Sequence, residues 1–169
     1  PADGIGPEVI EAGAEVLEAL ARRMGDVRFS LTRFDWGCDY YKHHGRMMPE
    51  DGLQQLKPFD AIYFGAVGAP DVPDHITLWG LRLPICQGFD QYANVRPTRI
   101  IPGITSPLRD VEPGDLDWVI VRENSEGEYA GHGGRAHVGM PEEVATEVAV
   151  FTRAGVTRIM RYAFDLARS

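Results

Sequence analysis

Asp117-Trp118-Val119-Ile120-Val121-Arg122-Glu123-Asn124-Ser125-Glu126-Gly127-Glu128-Tyr129 carries the reading of this chain. Asp117 to Val121 is a strong apolar, β-branched run and predicts a strand. Glu123 to Gly127 is a polar turn. If that turn folds back, the Tyr129 hydroxyl reaches the pocket at the strand end that Arg122 occupies. Downstream, His132-Gly133-Gly134-Arg135 predicts a hairpin tip. Val144 to Phe151, rich in Val and Thr, predicts a second strand. Val156, Ile159, Met160, Ala163, Phe164 and Ala167 have helical spacing and predict a helix from about Arg153.

Upstream, Tyr92 to Ile101 reads as extended, with Arg96 held there by Pro97. Ile76 to Gln87 is ambiguous, because Pro84 interrupts a helical pattern. Before it lie a loop, Gly68 to His75, and a short apolar run, Ala61 to Phe64, that predicts a buried strand. Pro49 to Leu56 predicts a short helix. Val27, Phe29 and Leu31 alternate with polar residues and predict another strand. At the start, Gly6-Pro7-Glu8 opens a helix that Val9, Ala12, Val16, Leu17, Leu20 and Met24 continue and Gly25 ends. Helices and strands alternate early and strand pairs cluster in the middle. The pattern predicts an α/β fold with an antiparallel insertion and its weakest break between Pro102 and Gly114.

The 169 residues carry 17 Lys and Arg against 25 Asp and Glu, a net charge of −8. That balance argues against general binding to nucleic acid or anionic membranes, although a local arginine cluster can still hold an anion. No apolar run is long enough to span a membrane, and no signal-peptide pattern opens the chain. Two cysteines, Cys38 and Cys86, are no disulfide framework, so a reducing, cytoplasmic setting is expected.

Several groups are candidates for chemistry. Asp3-Gly4-Ile5-Gly6-Pro7-Glu8-Val9 is a glycine loop feeding a helix, either a plain helix start or a loop whose N–H groups face an anion or cofactor. It is not the dinucleotide fingerprint, since Val9 stands where a third glycine is required. Arg96 and Arg122 sit beside strand ends. They are two structural ion pairs or a paired clamp for a small dicarboxylate. Tyr129 is either a half-buried amphipathic residue or an acid held near those cations. Cys38 with His43-His44 matches no compact zinc pattern. His132 and His137 belong to a solvated hairpin.

Three stretches together resemble the isocitrate/isopropylmalate dehydrogenase family. They are Asp3 to Glu8, Tyr92-Ala93-Asn94-Val95-Arg96-Pro97, and Val121 to Tyr129. Phe34-Asp35-Trp36-Gly37, Tyr40-Tyr41-Lys42 and Pro73 to Gly80 resemble in particular the members that act on tartrate and D-malate. The resemblance covers essentially the whole chain and implies a two-domain α/β fold. It implies NAD-dependent, divalent-metal-dependent oxidation of a small dicarboxylic 2-hydroxy acid, with or without decarboxylation, with Mn²⁺ or Mg²⁺ as the metal. By similarity Arg96 and Arg122 clamp carboxylates, Tyr129 returns a proton, and Ile5 and Thr77 lie near nicotinamide.

The pattern departs at Cys86, where the family usually carries a third substrate arginine; Arg82, four residues earlier, is the expected substitute. The family's catalytic lysine, metal-binding aspartates and adenosine loop are expected outside these residues. The chain is thus expected to be an N-terminal part with no metal site of its own. Residues 1–101 would open the nucleotide-side domain and 102–169 the central domain, with an arm at 128–151 that joins a homodimer. The alternatives are an isopropylmalate-type dehydrogenase and a non-catalytic dimerisation or carboxylate-binding module.

Overall fold

The computed structural model describes residues 1–169, which form an α/β fold of two compact units, Pro1–Gly88 and Phe89–Ser169. The first unit is helical. Helix α1 (Gly6–Met24) has Pro7 in its first turn, Glu8 near its N-terminus and Gly25 at its end, as the sequence predicts. Helix α2 (Cys38–His44) follows, then α3 (Gly52–Leu56), which keeps only the end of the expected Pro49–Leu56 helix.

The stretch around Pro84 is helical throughout. Helix α4 (Asp74–Thr77) runs into a π-helical turn (Leu78–Arg82) and then α5 (Leu83–Gly88). Leu83 N–H donates to the Leu78 carbonyl, one residue further back than in an α-helix. The wider turn lies just before Pro84, whose ring would crowd the preceding turn of a regular helix and which has no N–H to give. The core of this unit is Cys38, Met47, Leu56, Val72, Leu81, Leu83, Ile85 and Cys86.

Two expected strands in this unit do not form. Val27–Leu31 joins no ladder, and Phe29 and Leu31 are exposed. Ala61–Phe64 makes none either, and Tyr63 is 47% exposed. Beside it only a single parallel bridge, Ala2 with Ala66, is present. Alternation supplies strand propensity, but a strand exists only when a neighbour answers its backbone groups.

The second unit holds two antiparallel ribbons and a helix. Strand β1 (Ala93–Arg99) pairs with β2 (Asp117–Glu123), with Ala93 opposite Glu123 and Arg99 opposite Asp117. Strand β3 (Gly127–Ala136) pairs with β4 (Val144–Val150). The expected hairpin tip at His132–Arg135 lies inside β3, and the reversal comes later, between Ala136 and Val144. Gly133 sits in the strand because the Thr146 carbonyl of β4 occupies the space a side chain would need. Helix α6 (Arg153–Arg168) starts with Thr152 as N-cap and lies against β2. The unit boundary after Gly88 falls ahead of the expected domain division at 101/102.

Candidate functional site

The β1–β2 register decides which side chains share a face. Asn94 is directly opposite Arg122, and Arg96 is opposite Ile120. Residues two apart on a strand share a face, as do directly opposed residues. Asn94, Arg96 and Arg122 therefore rise from one side of the ribbon, with Arg96 and Arg122 as diagonal neighbours. Arg96 is exposed, and its Nε donates to Asn94 Oδ1 at 3.2 Å. Pro97 is tolerated in β1 because the strand has a partner on one side only.

The turn after Arg122 is held at every residue. Asn124 is 5% exposed; its N–H donates to the Tyr92 carbonyl at 2.9 Å and its Nδ2 to the Gln91 carbonyl at 3.0 Å. The Glu123 carboxylate accepts from Ser125 N–H (2.9 Å), Ser125 Oγ (2.7 Å) and Glu126 N–H (2.5 Å). Burial pushes the Glu123 carboxyl upward, yet these donors outweigh it and hold the group below the usual range. Gly127 then opens β3 at φ 70°, packed against the Phe151 ring, so a side chain here would be both strained and crowded.

This turn lays Tyr129 on Arg122. The Arg122 guanidinium donates to the phenol oxygen, and its central carbon lies 5.0 Å from the ring centroid. Both side chains are partly buried. A cation, a phenol hydroxyl and a second guanidinium on the same ribbon can bind a small anion and exchange a proton with it.

The other candidates belong to the first unit. The Asp3 carboxylate accepts from Cys38 N–H at 2.8 Å and Gly68 N–H at 3.0 Å, which ties the glycine loop to α2 and to the 66–68 segment. Burial and the neighbouring Asp3 push the Cys38 thiol up to about 11. Ile5 is the N-cap of α1 and 62% exposed. Thr77 is 4% exposed, and its hydroxyl donates to the Asp74 carbonyl of its own helix, so it turns that proton inward. Arg82 closes the π-helical turn, with buried Cys86 following on α5. His43 Nδ1 lies 2.7 Å from the Asp39 carbonyl, and the His44 ring stacks beside Tyr40. No group of three His, Cys, Asp or Glu side chains is placed to hold a metal ion.

All of residues 1–169 match the isocitrate/isopropylmalate dehydrogenase family. The chain belongs to that family. It is 79% identical over its whole length to a probable tartrate dehydrogenase/decarboxylase of Agrobacterium vitis, of which it covers 47%. It is 55% identical to the decarboxylating D-malate dehydrogenase of Escherichia coli K12, again over its full length and 47% of the relative. Among solved structures, isocitrate dehydrogenase from Methylococcus capsulatus superposes with a TM-score of 0.81 at 31% identity, across 99% of this chain and 46% of that one. The chain spans about half the length of the curated relatives it matches.

Sequence reasoning singled out Arg96, Arg122 and Tyr129 but not the groups that set them. Asn94, Glu123, Asn124 and Ser125 stand inside the quoted motifs, yet the Asn124 partners Gln91 and Tyr92 are distant from it in the chain and leave no local signal.

Proposed function

We propose that this chain is the substrate-binding and proton-handling part of an NAD-dependent, divalent-metal-dependent dehydrogenase that oxidises tartrate and D-malate. The contact between Arg122 and Tyr129 carries the reading. In it Arg96 and Arg122 each grip a carboxylate of the diacid; by likeness to the family, Ile5 and Thr77 of the first unit are nicotinamide contacts. Arg82 takes the third carboxylate contact in place of the arginine absent at Cys86. NAD would supply the acceptor for the hydride that leaves the hydroxyl-bearing carbon. When the β-carboxylate leaves as CO₂, its bonding electrons pass to the enolate carbon. Tyr129 gives its phenolic proton to that carbon, and the Arg122 cation stabilises the phenolate left behind. No group of three metal-ligating side chains comes together within this chain, and no step is assigned to the metal.

The same reading makes residues 1–101 the first part of the nucleotide-side domain and 102–169 the first part of the central domain, in a cytoplasmic homodimer joined by the arm at 128–151. Val138, Met140, Val144 and Val148 on that arm are each at least half exposed, which supports a partner surface there.

Tyr129→Phe in the complete protein tests the central step. D-malate decarboxylation is expected to slow by about 10²-fold, a typical general-acid contribution, with NAD affinity unchanged. Near-normal turnover removes Tyr129 from the role. A substrate screen on L-tartrate, meso-tartrate, D-malate and isopropylmalate separates the alternatives. Preference for isopropylmalate selects the other dehydrogenase type, and no turnover of any selects the non-catalytic module.

A further inference from the structure

Arg158 of α6 lies two-thirds buried, facing the turn that presents Tyr129. Its Nη1 donates to both carboxylate oxygens of Asp90, at 2.8 and 3.2 Å, and its Nη2 to Ser125 Oγ at 2.8 Å. The guanidinium stacks 4.4 Å above the Tyr92 ring. Ser125 passes the restraint on, because the same hydroxyl donates to Glu123. On the other side of the turn, Glu126 accepts from Thr152 N–H and Oγ at 2.8 and 2.5 Å. The α6 end of the chain thus grips the Asn124–Glu126 turn at two consecutive side chains.

As a device for stability alone Arg158 is poor. Its Nε–H is buried without a partner, which costs free energy. Its ionic partner Asp90 is 71% exposed, where ion pairs contribute little. The bond that is well placed is the one to Ser125, midway between Arg122 and Tyr129.

We propose that Arg158 is a positioning residue for Tyr129. Through Ser125 and Glu123 it fixes the turn, and the turn fixes where the phenol meets Arg122. It touches neither substrate nor cofactor. The inference rests on the reading of Tyr129 as proton donor, and the test separates the two.

The experiment uses the complete protein and four variants, Arg158→Met, Arg158→Lys, Ser125→Ala and Tyr129→Phe, with kcat, KM and thermal midpoint measured for each on D-malate. Arg158→Met is expected to lower kcat about tenfold, inside the ~10²-fold that a misplacement of about 1 Å can cost, while KM for NAD stays unchanged. Arg158→Lys keeps a charge beside Asp90 but offers no fork to reach Ser125, so it is not expected to restore kcat. Ser125→Ala is expected to give a smaller loss in the same direction. It also serves if Arg158→Met does not fold.

Adding Arg158→Met, or Ser125→Ala, to Tyr129→Phe is expected to lower kcat no further, because both act through one group. Additive losses, full rescue by lysine, or wild-type kcat in Ser125→Ala overturn the proposal. If Tyr129→Phe itself turns over normally, the reading of Tyr129 fails. If Tyr129→Phe is impaired but Arg158→Met is not, only the positioning role fails.

Discussion

The two units of this chain are held together by different forces. Residues 1–88 bury a small apolar core, with Leu83 at 0% and Met47 at 1% exposure. Residues 89–169 bury no large apolar side chain. Their most protected positions are Asn124, Gly127 and Gly155, all at the turn and at the helix start beside it. Meanwhile Trp118, Val119 and Ile120 on β2, and Phe164 on α6, stay open to solvent. Hydrophobic burial is non-directional and stabilises, whereas hydrogen bonds are directional and add little net free energy. Within these residues the first unit buries an apolar core, while the second leaves its large apolar side chains open and protects the polar turn instead.

The contrast can be broken by paired truncations. Leu83→Ala is expected to lower unfolding free energy by about 2–5 kcal/mol through lost burial and a cavity. Val119→Ala, whose side chain is half exposed, is expected to cost well under 1 kcal/mol by the same measure, chemical denaturation of this chain. Equal losses would dissolve the distinction. Next in size, Arg122→Ala in the complete protein should weaken kcat/KM for the diacid by about 2–4 kcal/mol while leaving stability nearly unchanged. Steady-state kinetics with unaltered KM and kcat would remove Arg122 from substrate capture.

The smallest effects are those of pH. The Glu123 carboxyl titrates below its unfolded value because the folded turn donates to it. Its contribution is therefore present above about pH 4.3, the unfolded value, and is lost as pH falls through the lower folded value. Glu123→Gln should flatten the acid limb of a stability profile; an unchanged limb would separate the turn from acid sensitivity. Cys38 behaves in the opposite sense. Its thiol is pushed up to about 11, so stability is full below about 8.5 and declines as pH rises towards the folded value. Alkylation of Cys38 in the folded chain should be far slower than that of a free thiol at pH 8, which mass spectrometry of the modified peptide measures.

The elements whose signals are local are legible in the sequence. Helices α1 and α6 follow apolar spacing and their capping residues, and β2 follows its own β-branched run. Val27–Leu31 and Ala61–Phe64 have equally good local patterns but no neighbour within residues 1–169 to complete a ladder. The π-helical turn before Pro84 and the late reversal of the β3–β4 ribbon are choices between conformations that the local sequence allows almost equally.

What the amino-acid order determined by itself is helices α1 and α6, the polar turn at residues 123–127 and the identity of the groups with chemistry to offer, because each depends on residues a few positions apart; α2 and the helical course of residues 74–88 were not legible in it. Only tertiary structure decided that Arg96 and Arg122 share a face, that the phenol of Tyr129 lies on Arg122, and that Arg158 reaches Ser125. The first depends on strand register and the last on a contact 33 positions apart, while the Arg122–Tyr129 pair, only seven apart, depends on a turn that Asn124 anchors to Gln91, 33 positions away. A one-residue slip in register would send the two arginines to opposite faces without changing a single local preference.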